Sequence, residues 1–310
     1  MAHYLVPMKV LGRYRLVRVL GSGAFATVWL GEDRDLDADV AVKVLADNWT
    51  HNADVRERFL AEARLLRRVD DPRVVRVFDV GVSDDGRPYF VMEYVPGGTL
   101  ADRTGTLSAG ESLAYGVEAA RALHVLHEAG IVHRDVKPSN LLVDDRTTPP
   151  RLLVSDLGSA KVLAEASGLT VTTGTPLYMA PEQVHQNDGF DARADVYAVA
   201  AVTYHLLSGR PPFADPTAAA VMARRPDAKP APLATSVGRP VALDRLMARS
   251  LSWEPSKRPA TAADLADALE RLVDEEPTRQ RREVSTVLVL VICVAVFVAM
   301  FAATYGLLSR

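Results

Sequence analysis

The chain has 310 residues, 48% of them hydrophobic and 24% charged, enough for one large domain or two lobes around a cleft, and too apolar for general disorder. A formal net charge of −3 excludes the basic field expected of a nucleic-acid binder, so no nucleic-acid partner is expected. A single cysteine, Cys293, excludes an intrachain disulfide.

No signal-peptide pattern opens the chain, because Met1–Leu11 lacks a continuous apolar run. Residues 1–13 read as an N-terminal extension. From Tyr14 to about Val95 short β-branched runs follow one another: 14–20, 27–30, 40–45 and 89–95. Turn residues separate them, so they read as strands. One helix interrupts them at 55–69, with apolar Phe59, Leu60, Ala63 and Leu66 on one face. Residues 96–273 are mainly helical, most clearly at 108–129, 192–207 and 262–273, while Pro226–Pro240 reads as an irregular connection. Residues 274–283 form a charged linker. After it, 284–308 carries no charge at all, and its length matches the roughly 20 apolar residues that cross a bilayer. A buried core helix seldom runs so far without a polar face.

Chemistry enters with Leu20 and the run Gly21-Ser22-Gly23-Ala24-Phe25-Ala26, followed by Val28, between two predicted strands. Alternate glycines let a backbone approach a phosphate and present its N–H groups. Ala26 stands where a third glycine is expected, and alanine is the smallest substitute. Next, Ala41-Val42-Lys43 places a lysine inside an apolar strand. Such a lysine needs a partner if it points inward, and Glu62 on the following helix offers one. The plain alternative is a lysine on the solvent face of an edge strand.

The decisive run is Ile131-Val-His-Arg-Asp-Val-Lys-Pro-Ser-Asn140, followed sixteen residues later by Asp156-Leu157-Gly158. Further on stand Gly174-Thr175-Pro176, Ala180-Pro181-Glu182, Asp195, and Lys257-Arg258-Pro259. In this order the motifs resemble those of the eukaryotic-type protein serine/threonine kinases, over Tyr14 to about Val273. The membrane-anchored bacterial members are the most similar in layout.

The resemblance implies an α+β fold of two lobes, a small β-rich lobe over about 14–95 and a larger helical lobe over about 96–273, plus one C-terminal transmembrane helix. It implies ATP as phosphate donor, magnesium (replaceable by manganese) as cofactor, and proteins as substrates. Lys43, held by Glu62, would bind the α- and β-phosphates, and Asn140 and Asp156 would hold the metal. Asp135 would take the proton of the substrate hydroxyl, while Lys137, the mark of the serine/threonine branch, would contact the transferred phosphate. Met92 would lie behind the adenine, and the Glu93–Val95 hinge would bond it through its backbone. Leu157 replaces the phenylalanine usual after the metal aspartate. Thr170, Thr172 and Thr173 are candidates for autophosphorylation opposite Arg134, and Thr175 belongs to the substrate-facing loop. Glu182, Asp195 and Arg258 are structural: Glu182 pairs with Arg258, and Asp195 braces the catalytic loop.

Arg279, Arg281 and Arg282 precede the apolar segment and only Arg310 follows it, which places the kinase domain on the cytoplasmic side of a cell membrane. No outer sensor domain is expected. Small residues Ala295, Ala299, Ala302 and Ala303 could let two such helices pack, giving a homodimer. Two other readings compete: a catalytically silent scaffold, opposed by the presence of Lys43, Asp135 and Asp156, and a small-molecule kinase, opposed by the elements that build a peptide platform.

Overall fold

A computed structural model describes residues 10–157, 176–184, 191–213 and 218–274. The loop threonines Thr170, Thr172, Thr173 and Thr175, the 275–283 part of the linker and the apolar segment 284–308 lie outside them. Among the described residues no helix is long and apolar enough to cross a membrane.

The first lobe is a six-stranded antiparallel sheet in the order β1-β2-β3-β4-β6-β5. Its strands are β1 (Val10–Leu11), β2 (Tyr14–Ser22), β3 (Ala26–Asp33), β4 (Ala38–Leu45), β5 (Val77–Val82) and β6 (Pro88–Glu93). β4 is buried without a break from Val40 to Leu45, because both faces of the sheet are covered. On the outer face Val40, Val42 and Val44 meet Leu11, Tyr14, Leu16, Tyr89 and Val91. The inner face carries Ala41 and Leu45, and across the ladder Phe90 and Met92. There α1 (Ala53–Arg68) packs through Val55, Phe59, Ala63 and Leu66, with the Phe59 and Phe90 rings 5.1 Å apart. Burying Phe59 in this way contributes about 2–3 kcal/mol. Asn52 starts the helix by accepting the Val55 N–H, and Arg67 and Arg68 sit in its last turn, where positive charge meets the helix dipole.

The second lobe is built on α2 (Ala109–Glu128). Ser108 caps it in a reciprocal box with Glu111. The short α3 (Pro181–Val184) follows, then α4 (Arg193–Ser208), α5 (Ala218–Ala223), α6 (Ala242–Ser250) and α7 (Ala262–Asp274). α4 is apolar nearly all round and correspondingly buried, and it ends at Gly209 with φ +68°. α2 meets α4 closely because a Cβ at Gly116 would lie 2.6 Å from Thr203 Oγ1. The Pro226–Pro240 stretch contains neither helix nor strand, as its composition predicts, and Asp244 pins it by accepting the Leu233 and Ala234 N–H groups.

Between the lobes lies a two-stranded hairpin, β7 (Leu141–Asp144) and β8 (Arg151–Val154). The segment entering β5 bonds to β8: Val154 N–H donates to Arg73 C=O (2.8 Å) and Val75 N–H to Val154 C=O (3.0 Å). β5 alternates at Phe78, Val80 and Val82 but turns that apolar set to solvent, and this hairpin shows no alternation at all. β5 is an edge strand with Phe78, Val80 and Val82 exposed, and β7 and β8 are four residues each, too short to show a period.

Candidate active site

The antiparallel register decides which side chains share the inner face. Val28 pairs with Lys43 and Lys43 with Phe90; Leu30 pairs with Ala41 and Ala41 with Met92. Paired and alternate residues project to one side. Val28, Ala41, Lys43 and Met92 therefore lie on neighbouring rungs of the face that α1 covers. Lys43 is 9% exposed, with its Nζ donating to Glu62 Oε1 (2.7 Å) and to Asp156 Oδ1 (2.7 Å). The inward lysine is thus the one present, not the edge-strand alternative, and its second partner comes from the far lobe. Burial alone would lower the Lys43 pKa, but Asp156 and Glu62 outweigh it and raise it. Glu62 behaves oppositely: burial pushes its carboxyl up to about 7, against the pull of the Lys43 ammonium and with help from Asp156.

Asn140 and Asp156 leave the same end of the β7–β8 hairpin. Leu141 pairs with Val154, and Ser155 donates both its N–H (3.0 Å) and its hydroxyl (3.1 Å) to Asn140 C=O. The Asn140 amide NH2 donates to the Asp135 backbone C=O (2.8 Å) and to Asp135 Oδ2 (3.2 Å), which assigns its Oδ1 as the atom offered to a cation. Lys137 Nζ donates to Asp135 Oδ2 at 2.7 Å. Asp156 has φ +54°, an uncommon left-handed backbone for a residue with a side chain. Among the described residues no group of three or more His, Cys, Asp or Glu could hold a metal alone. One amide oxygen and one carboxylate nevertheless suit magnesium, which binds through few protein oxygens and completes its shell with phosphate and water.

A second set of contacts holds the catalytic loop. Asp195, 1% exposed, accepts from the His133 N–H (2.8 Å) and the Arg134 N–H (2.9 Å), and its Oδ2 lies 2.8 Å from His127 Nε2. These bonds sustain Arg134 at φ +71°. His133 Nδ1 accepts the Asp135 N–H (3.3 Å), so its Nε2 carries the proton and donates to Ser155 C=O (2.9 Å). Gln183 adds a bond from its amide to Arg134 C=O (2.9 Å). Arg258, its side chain fully buried, forks onto Glu182 at 2.6 and 2.8 Å and also bonds the Arg193, Ser252 and Trp253 carbonyls.

The glycine loop spans the end of β2, a turn at Gly23–Phe25 and the start of β3, with Gly23 N–H bonded to Ala26 C=O (2.9 Å). Leu20 is exposed at its start, and Gly21 and Ser22 end β2. In the hinge, the Glu93 N–H is already spent on Arg76 C=O (2.9 Å), which narrows the backbone groups expected to bond a base. Val95 is buried, and Leu157 is 4% exposed in the same core as Phe59 and Leu66. No spacing in the sequence marks His127, Gln183 or the role of His133; only the position of His133 beside Arg134-Asp135 signals its part.

A β-rich lobe and a helical lobe, joined by a hinge and closing on a lysine–glutamate–aspartate cluster beside an aspartate–lysine–asparagine loop, define a phosphotransferase-type cleft. The protein kinase domain model matches residues 14–269. The chain is 38% identical over 268 residues to the serine/threonine-protein kinase pkn2 of Myxococcus xanthus, covering 83% of this chain and 32% of that protein. It is 35% identical over 282 residues to PknB of Mycobacterium leprae, covering 87% and 44% respectively. Among solved structures, the PknI kinase domain of Mycobacterium tuberculosis superposes with a TM-score of 0.66 at 30% identity, covering 86% of this chain and 99% of that one. The chain belongs to the protein kinase family, in its eukaryotic-type serine/threonine branch. It spans less than half the length of these two curated relatives.

Proposed function

We propose that this chain transfers the γ-phosphate of ATP to serine and threonine hydroxyls of proteins. The observation that carries the reading is one continuous set of contacts, Glu62–Lys43–Asp156 and Lys137–Asp135–Asn140, joined through Ser155. Lys43 holds the α- and β-phosphates while Glu62 fixes its ammonium. Asp135 orients the substrate hydroxyl and takes its proton as the oxygen–phosphorus bond forms and the bond to the β-phosphate oxygen breaks. Lys137 steadies the moving phosphoryl group. Asn140 and Asp156 hold magnesium, which when bound neutralises phosphate charge. Positioning and charge stabilisation supply most of the rate in such chemistry.

Incubation with labelled ATP and a generic protein substrate tests the assignment. Asp135→Asn is expected to abolish transfer without altering the fold; transfer at the wild-type rate by this variant would remove Asp135 from its role. The silent-scaffold reading predicts no transfer by the wild type itself.

Two finer readings extend the proposal. Autophosphorylation at Thr170, Thr172 or Thr173 would place a phosphate where Arg134 can pair with it, and mass spectrometry of active enzyme finding no phosphate over 159–173 would refute this. Residues 284–308 anchor the enzyme in the cell membrane with the kinase domain cytoplasmic, and allow pairing of two chains. Recovery of the full chain in the soluble fraction after lysis would refute the anchor.

A further inference from the structure

The tip of the glycine loop is tied to the segment that follows β4. The Trp49 indole N–H donates to Ala24 C=O at 2.9 Å, and the Ala46 N–H donates to Phe25 C=O at 2.8 Å. The Phe25 and Trp49 rings lie 5.2 Å apart with 30° between their planes. Trp49 is itself held, its N–H bonded to Ala46 C=O (3.0 Å) and its C=O to the Asn52 N–H (3.1 Å), and Asn52 caps α1. Two successive carbonyls of a glycine-bearing turn are thus anchored to a short 3-10 turn, Asp47–Trp49, and to Ala46 at its N-terminal edge.

In a trans peptide the carbonyl and the following N–H point in opposite directions. Fixing Ala24 C=O on the indole therefore fixes the Phe25 N–H on the side away from Trp49. Backbone N–H groups are what a glycine loop offers to phosphate, and glycines leave their orientation unset. We propose that Trp49 is a positioning residue for ATP, locking the Ala24–Phe25 peptide so that the loop meets the nucleotide phosphates already ordered. The inference rests on the kinase reading above, and it specifies which part of the nucleotide the residue serves. Trp49 touches no nucleotide in this account; it acts through the loop.

Preorganisation of this kind strengthens ground-state and transition-state binding alike, so its loss raises KM and leaves kcat. W49F keeps an aromatic ring against Phe25 while removing the donor together with part of the indole. In the full chain it is expected to raise KM for ATP about three- to tenfold, the factor one net hydrogen bond is worth, with kcat changed less than twofold. Calorimetric titration with the magnesium complex of adenylyl imidodiphosphate should weaken by the same factor, while adenosine, which has no phosphates, should bind W49F and wild type equally. A purely structural role would weaken both ligands together, and that result overturns the proposal, as does unchanged triphosphate binding. A wild type that binds the triphosphate but transfers nothing sinks the kinase reading while leaving the Trp49 comparison intact. A wild type that binds no triphosphate overturns both.

Discussion

Asp195→Asn isolates what one buried carboxylate does for the catalytic loop. Aspartate can accept at both oxygens, and here Oδ1 takes the Arg134 N–H and Oδ2 the His133 N–H, with His127 Nε2 also at Oδ2. Asparagine has the same shape but only one acceptor oxygen, so in either flip its NH2 group faces a backbone N–H. One charge-assisted bond is lost, at about 1.5–3 kcal/mol, and one donor in the interior is left unsatisfied, at about 1–3 kcal/mol. The sum of about 2.5–6 kcal/mol is a large share of the 5–15 kcal/mol typical of a domain. It falls on the residues that hold Arg134 at positive φ, so loop geometry should suffer along with stability. Urea titration should show a midpoint lowered to match that loss at an unchanged slope, and kcat should fall by more than tenfold. A variant with wild-type midpoint and kcat would refute the bracing argument.

Arg258→Met keeps much of the volume but leaves Glu182 unpaired, and a loss of about 3 kcal/mol is expected in the same titration. Gly97→Ala would drive a Cβ to 2.2 Å from the Val143 carbonyl oxygen, displacing backbone, and calorimetry should show a lowered Tm equivalent to about 1–3 kcal/mol. Glu62 makes a prediction of opposite signs. With its folded pKa raised from 4.5 to about 7, the folded state binds the extra proton, so stability is fully present below 4.5 and declines as pH rises toward 7. The Lys43 ion pair needs the ionised carboxylate, so kcat/KM should instead climb through that pH; a Glu62→Gln variant that keeps the same climb would break the link. His205 is lowered by burial, and its Nδ1 lies 2.7 Å from the Tyr178 hydroxyl. The unfolded chain then binds more protons just below 6.5, so stability should fall with acidification there, an effect that His205→Asn should abolish in pH-dependent melts.

Sequence reading reaches furthest where local pattern and chemistry coincide. The helix expected from Val55 begins at Ala53, because Asn52 rather than an apolar residue sets its start. Ser108, read as a helix start, is the cap itself. The Lys43–Glu62 pair was legible because an apolar strand forces the question of where its charge goes. The second partner of Lys43, Asp156, was not: it lies 113 residues away and its approach depends on how the lobes meet. Likewise Gln183 and His127 serve through contacts that no spacing encodes, and the spent Glu93 N–H depends on Arg76, just before an edge strand whose alternating apolar face is turned to solvent.

The hairpin that carries Asn140 and Asp156 side by side at its open end has a mechanical meaning. Four rungs of ladder make it a stiff fork, so the spacing of its two tines is indifferent to any swing between lobes. What such a swing changes is the reach from Lys43, seated in the upper lobe, to Asp156. Opening of the cleft for nucleotide exchange would therefore separate the ammonium from the carboxylate while preserving the bite of the fork, so that product could leave without dismantling the pair of oxygens proposed to hold the metal.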